Sequence, residues 1–548
     1  MCTDLAWVVS VVPDRGGTDP APGSDADGLA DKGCGCANAR PSGAFVAVLA
    51  SLLFLRRRRI AVIALAGCGS SPTHPPPVEE TTPAPETTVS ELAPPRNVLL
   101  VLADDVGIDR LALYDNPVSR PWPSPPTPTI DALAAAGLTF TTAYASSSCS
   151  PTRAMLLTSL YPRDTGIGYP YCAAIQPANA LGFEHVMIPE FLNAHTTGYA
   201  SLVLGKWHLA SGESYADNAM AHGFDGHRGT VCTFTEPALG GAEQSWYQWE
   251  KNTDGVLSWE TTYATIDTTD DAIEALQTLP EPWFILLSYN SAHAPWVAPP
   301  DELYTLPTVV DGESTWLETF DTMIEAMDTE LGRVIAELDR TDLADRTTVV
   351  FTSDNGTPHP VASDAWLSVG GKFTNYESGV RVPLIVRSPL IAAEAHGTRT
   401  EAMASLADIF PTVAELAGVP DWDTFGLPLR GRSLLPFLLD PGAPDDRSHL
   451  YSEGFQPTGP GPYSEYMRGI RDERYKLMID EAAAGTAVAF FDLYADGNAL
   501  GWEGADLLAG DADGIPDDPA AAEAFIALNG TLASAYGIER TGMGIVPK

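Results

Sequence analysis

Four short apolar runs recur along the chain: Val98–Leu102, Ala200–Leu204, Trp283–Leu287 and Thr348–Phe351. Nearly continuous runs of four or five apolar residues predict strands buried on both faces, as in a parallel sheet. Between them the period changes. Thr129–Ala136 and Thr319–Asp339 read as amphipathic helices, the second with Phe320, Ile324, Met327, Leu331 and Ile335 on one stripe. Strands alternating with helices predict an α/β fold, a large domain whose mostly parallel central sheet is flanked by helices.

The first 96 residues follow another pattern. An apolar run, Gly43–Leu55, is too short to span a bilayer and ends in Arg56–Arg59; a second, Ile60–Gly67, ends at Leu65-Ala66-Gly67-Cys68. A basic segment, a short apolar stretch and small residues before a cysteine resemble a bacterial lipobox, which predicts export and a lipid anchor at Cys68, in the periplasm, on the outer membrane or at the cell surface; an ordinary signal peptide and an unprocessed membrane-proximal helix are the other readings of the segment. The translation start is then expected near Leu55. Gly69–Arg96 is rich in Pro, Thr and Glu and reads as an extended linker. The expected organisation is a signal and upstream extension over 1–67, an anchor and linker over 68–96, a catalytic domain over 97–420 and a C-terminal subdomain over 421–548.

Composition narrows the partners. The 548 residues hold 72 Asp+Glu against 31 Lys+Arg, a net charge of −41, which excludes binding to nucleic acid or anionic membranes through bulk charge. Hydrophobic residues at 45% and charged ones at 19% give enough apolar material for a large core. The seven cysteines show no repeated CxxC spacing of a zinc site.

Each predicted strand runs into polar residues: Asp104-Asp105, Gly205-Lys206-Trp207-His208, Ser291-Ala292-His293 and Asp354-Asn355-Gly356. Ligands in open α/β sheets bind at the carboxyl ends of the strands, so these groups are expected to converge. Taken singly, each Asp also fits a turn or helix cap, and each Lys or His a structural position. Taken together, Asp104, Asp105, Asp354 and Asn355 are hard oxygen ligands for Ca²⁺ or Mg²⁺. Lys206 and Lys372, two of only six lysines, add the positive charge of a pocket for a tetrahedral oxyanion.

The most specific segment is Cys149-Ser150-Pro151-Thr152-Arg153, set among serines and leading into an apolar helical stretch, which places the cysteine at a helix N-terminus where an anion is favoured. This pentapeptide resembles the C-x-P-x-R signature of type I sulfatases, in the alkaline phosphatase superfamily. Asn97–Asp105, Gly205–Leu209, Thr352–Gly356, Gly370-Gly371-Lys372 and Tyr376–Pro383 follow the same family's order. The resemblance implies a sulfuric ester hydrolase. Cys149 would be oxidised by a formylglycine-generating maturation enzyme to Cα-formylglycine, whose gem-diol attacks sulfur and forms a covalent enzyme-sulfate intermediate. It further implies that Asp104, Asp105, Cys149, Asp354 and Asn355 hold Ca²⁺ (or Mg²⁺), that Arg153 steadies them, and that Lys206 and Lys372 neutralise sulfate oxygens. His208 would be the base of the elimination step and His293 the acid on the leaving oxygen.

By the same resemblance, Ala404–Thr412 reads as a helix closing the large domain, and Met467–Arg471, Tyr475–Met478 and Phe490–Tyr494 as strands of a small antiparallel sheet. Cys172 and Cys232 are left either as a disulfide or as two separate buried thiols. Two other readings stand beside the sulfatase: a phosphonate monoester or phosphodiester hydrolase of the same superfamily, and a silent glycan-binding surface lipoprotein in which Cys149 is never matured. The ester could be a sulfated carbohydrate or an aryl sulfate. Trp246, Trp249, Trp259 and Trp296 are expected either in the core or stacked on its ring.

Overall fold

Asn97-Val-Leu-Leu-Val-Leu-Ala103 forms the central strand because it buries both faces: Val98, Leu100 and Leu102 pack into one core and Leu99, Val101 and Ala103 into the other, all with no exposed surface. The structure is a computed structural model describing residues 97–114, 124–171, 181–210, 215–234, 244–309, 314–362, 370–495, 501–509 and 514–536. The expected signal, Cys68, the linker and Cys172 lie outside these residues.

Ten strands make the large sheet: β1 (Asn97–Ala103), β2 (Leu138–Tyr144), β3 (Ala200–Gly205), β4 (Gly226–Gly229), β5 (Trp249–Thr253), β6 (Val256–Glu260), β7 (Trp283–Ser288), β8 (Thr347–Ser353), β9 (Leu384–Arg387) and β10 (Thr398–Ser405). Their order is β10-β2-β9-β8-β1-β7-β3-β4-β5-β6. The four strands expected from the apolar runs are neighbours, β8-β1-β7-β3, and all run parallel. In register, Ala103 faces Ser353, Leu102 faces Ser288, and Ser288 faces Gly205, so four carboxyl ends finish on one edge. The sheet becomes mixed outside this group, where β9 lies antiparallel between β2 and β8 and the hairpin β5-β6 closes the far edge.

The helix Trp316–Arg340 covers one face, burying Phe320, Ile324, Met327 and Leu331 as its stripe predicts, with Ile335 half-buried. It starts at a capping box, in which the Glu318 amide donates to Thr315 Oγ1 at 3.2 Å and the Thr315 amide to Glu318 Oε2 at 2.7 Å. The helix Pro128–Ala135 matches the other predicted helix. On the opposite face lie the helices Cys149–Thr158 and Ile409–Leu416 together with an antiparallel sheet of β11 (Leu450–Gln456), β12 (Glu465–Arg471), β13 (Tyr475–Ala482) and β14 (Gly485–Asp492). Leu156, Phe410, Ile470 and Leu477 share one cluster there, so the small sheet extends the main core.

One expectation changes, and one left open between two roles is narrowed. The Ala404–Thr412 helix starts later, because β10 runs through Ser405 and one 3₁₀ turn, Leu406–Asp408, precedes the helix at Ile409. Trp246 and Trp249 are core residues, Trp296 is half-buried beside Trp316, and only Trp259 on β6 stays exposed. Among the described residues, no helix is long and apolar enough to cross a membrane.

Candidate active site

The parallel strand ends bring the predicted residues together. Asp104 and Asp105 follow β1, Lys206 and His208 follow β3, Asp354 and Asn355 follow β8, and His293 lies five residues beyond β7. Cys149 opens the helix Cys149–Thr158 over this edge, with its thiol 3.8 Å from Asp104 Oδ1. Cys149, Asp104, Asp105, Asp354, Asn355, Arg153 and Lys206 are all buried.

The charges interlock. Lys206 Nζ donates to Asp104 Oδ2, and Lys372 Nζ lies 2.6 Å from Asp105 Oδ1. The Arg153 guanidinium reaches Asp354 Oδ2 through Nε and Nη2, while its Nη1 donates to the Lys206 carbonyl at 2.9 Å and to Ser288 Oγ at 2.7 Å. Asn355 Nδ2 donates to Asp105 Oδ1 at 2.8 Å, and the Asp105 amide to Asp354 Oδ1 at 3.2 Å. Asp104, Asp105 and Asp354 thus face Lys206, Lys372 and Arg153 within one buried pocket.

Electrostatics follows from that pairing. Burial opposes ionisation of Asp104 and Asp105, but Lys206 beside the first and Lys372 beside the second hold both carboxyls below their ordinary range. Burial also opposes the charge on Lys372, and Asp105 outweighs it, so the ammonium stays charged. The Cys149 thiol is pushed up to about 12 by burial, which Lys206 and Lys372 only partly offset. Burial, then Lys206 with Arg153 at His208 and with Lys372 at His293, lowers both imidazoles and keeps them neutral.

The oxygens of Asp104, Asp105, Asp354 and Asn355 are the donors a hard divalent cation takes, and a softer pair, Cys149 and His293, stands beside two of them. Asp104, Asp105, Cys149 and His293 offer ligand atoms that all lie within 4.8 Å of one another. Asn355 Oδ1 is buried without a hydrogen-bond partner, as an oxygen ligand awaiting a cation would be. His293, expected as an acid, therefore also stands among the possible ligands, with Nε2 4.0 Å from Asp105 Oδ2. Asp105 and His208 hold left-handed backbone, φ 67° and 62°, a conformation costly for either residue and concentrated at functional sites.

Sequence reasoning missed Ser288 and Ser150. Ser150 Oγ donates to the His208 carbonyl at 2.9 Å and so ties the cysteine's helix to the strand end bearing the imidazole. A serine in a Ser-Pro-Thr run carries no distinguishing signal. Cys232 is buried and disulfide-bonded, while Cys172, its expected partner, lies outside the described residues.

Comparison with known proteins agrees with this geometry. A profile described as Sulfatase matches residues 96–419. Human "Arylsulfatase A" is 29% identical over 414 residues, covering 70% of this chain and 75% of its own. The "N-acetylgalactosamine-6-sulfatase" of Sus scrofa is 31% identical over 389 residues, covering 66% and 69%. A structure solved in complex with its substrate D-glucosamine-2-N,6-O-disulfate shares the fold with a TM-score of 0.60 at 20% identity, covering 81% of this chain and 99% of that one. The profile spans more than half of the sequence and includes every residue of the converged site, and on that basis the chain belongs to the type I sulfatase family of the alkaline phosphatase superfamily.

Proposed function

We propose that this sulfatase hydrolyses a sulfate monoester of a carbohydrate, with Cα-formylglycine made from Cys149 as nucleophile and Ca²⁺ as the bound metal. The observation that carries the reading is the seating of Cys149 at a helix N-terminus beside Asp104 and Asp105, which carry the ammonium groups of Lys206, just past β3, and of Lys372, from the loop beyond β8. Asp104, Asp105, Asp354 and Asn355, with residue 149, would hold the metal, whose chemistry is to polarise a sulfate oxygen and favour ionisation of the nucleophile. Converted to the hydrated aldehyde, residue 149 has one hydroxyl for attack and a second for release of sulfate.

The chain's own residues supply the rest. Lys206 and Lys372 neutralise the sulfate oxygens. Arg153, anchored on Asp354 and Ser288, fixes the metal carboxylates against the cysteine's helix. His208 takes the proton in the elimination step, and partly exposed His293, neutral in the free site, serves as the acid on the departing alcohol oxygen once the bound anionic ester favours its protonated form. The Mg²⁺ form is the alternative for the metal. Carbohydrate is favoured because named relatives and a structural neighbour act on sulfated sugars. A formylglycine-generating enzyme is the required maturation partner, and the Leu-Ala-Gly-Cys68 segment supports export with a lipid anchor.

Peptide mass spectrometry across residues 149–153, paired with parallel assays of sulfated sugars, aryl sulfates and phosphate diesters, tests the reading. An aldehyde at 149 and preference for a sugar sulfate support it. An unmodified thiol in native material favours the silent glycan-binding protein instead, and preference for the phosphodiester favours the other hydrolase. Elemental analysis of the purified protein decides between Ca²⁺ and Mg²⁺.

A further inference from the structure

Beside the cationic pocket stands an aromatic pair that the proposed chemistry does not use. Phe373, next to Lys372, is 39% exposed. Its backbone is left-handed, φ 73°, where glycine or asparagine sits without strain and a bulky side chain is an outlier. The conformation is held from outside: the Phe373 amide donates to the Ser147 carbonyl at 2.7 Å, two residues before Cys149, and the Lys372 amide to the Thr357 carbonyl at 3.0 Å.

Tyr169 stacks on this ring, with centroids 5.2 Å apart and planes inclined by 24°. Tyr169 is itself fixed by Thr458, whose Oγ1 accepts from the Tyr169 amide at 3.0 Å and donates to its carbonyl at 2.9 Å. The Lys372 ammonium lies 5.3 Å from the Phe373 centroid while it contacts Asp105. A group that grips sulfate and an exposed aromatic surface are therefore within one ester's length of each other.

We infer that Phe373, backed by Tyr169, forms the subsite for the alcohol part of the substrate, taking the C–H face of a sugar ring whose sulfate is held at Lys372. The inference rests on the proposed sulfate-ester site and adds to it the residue that reads the leaving group. A ring stacked there is aligned before reaction, while a small alkyl sulfate meets the same cations without that contact.

Binding to the unmatured protein, which carries the thiol at 149 and turns nothing over, separates this idea from the catalytic one. Calorimetry in the presence of Ca²⁺ would compare inorganic sulfate, a sulfated monosaccharide and an aryl sulfate. For Phe373→Gly, in which relief of the left-handed backbone offsets the lost Tyr169 stack and Tm should stay close to that of the wild type, the sugar sulfate is expected to bind about five- to tenfold more weakly, the usual size of one aromatic stack. Inorganic sulfate should bind as before, and Phe373→Tyr should restore the sugar's affinity. Equal affinity of the sugar sulfate in wild type and Phe373→Gly overturns the inference, as does a parallel loss for inorganic sulfate, which would make Phe373 a prop for Lys372. A loss confined to the aryl sulfate overturns the assignment to sugar. Failure of the wild type to bind inorganic sulfate would instead bring down the proposed site itself.

Discussion

Arg153 grips a single carboxylate oxygen of Asp354 with two nitrogens, Nε at 3.1 Å and Nη2 at 2.8 Å. The same guanidinium donates to the carbonyl at the end of β3 and the hydroxyl at the end of β7, so one side chain joins three strand ends to the cysteine's helix. Arg153→Ala leaves Asp354 buried without its cation and should cost about 3–5 kcal/mol of stability in denaturant titration. Arg153→Lys keeps the charge but not the fork, and should fold better than the alanine variant while losing at least about tenfold in kcat/KM. Equal activity of the lysine variant and wild type would show that the fork is not needed.

A second buried network lies under the small sheet. Glu377 accepts from Lys476 at 2.9 Å and Arg471 at 3.2 Å and from the Tyr144 hydroxyl, and Lys476 also meets Glu503 at 2.7 Å. Burial opposes the charge on Glu377, but Lys476 and Arg471 outweigh it and hold the carboxyl below its usual range. Glu377→Gln and Lys476→Met should each destabilise by about 3–5 kcal/mol, because each strands buried charge. The double variant should cost less than the sum, as a thermodynamic cycle by urea unfolding would reveal.

His227 gives the protein a defined acid sensitivity. Its Nε2 lies 3.1 Å from the Gly205 carbonyl and its Nδ1 2.9 Å from Asn252 Nδ2, and burial lowers it to about 4. A histidine depressed on folding stabilises fully above the unfolded value of 6.5, and that contribution fades as pH falls towards 4. His227 should therefore account for a loss of about 3 kcal/mol across that window. His227→Gln should flatten the pH dependence of stability between those limits, measured by thermal unfolding at constant ionic strength.

The net charge of −41 surrounds a pocket in which three cations balance three carboxylates and a bound divalent metal would leave a positive excess. An anionic ester must approach against the global field, so kcat/KM should rise as the Debye length shrinks from about 30 Å to about 8 Å between 0.01 and 0.15 M salt. With metal occupancy held constant, a rate that falls steadily over that range contradicts this.

Much of the site was legible because parallel strands end on one edge. Asp104, Lys206, His293 and Asp354 each follow an apolar run, and strand pairing alone brings such positions together. What was not legible depends on local backbone or on partners remote in sequence. Nothing in Gly371-Lys372-Phe373 announces a left-handed phenylalanine, and nothing in Tyr376-Glu377 marks Glu377 as the hub of a buried ion network. The hairpin β5-β6 was missed because β6 is mostly solvent-facing and lacks an apolar run. β11 was missed because Tyr-Ser-Glu-Gly interrupts its apolar residues, although the strand is buried.

The contact between Asp105 and Asn355 spans 250 positions of sequence, since β1 and β8 are sheet neighbours. Closing so long a loop is an entropic step that only the completed sheet can repay, which makes the pocket a late product of folding. A ribosome-bound chain truncated before Asp354 holds Cys149, Lys206 and His293 yet has no assembled pocket to put them in. Recovery of activity on refolding thus reports completion of the large sheet, and should lag behind recovery of helical signal.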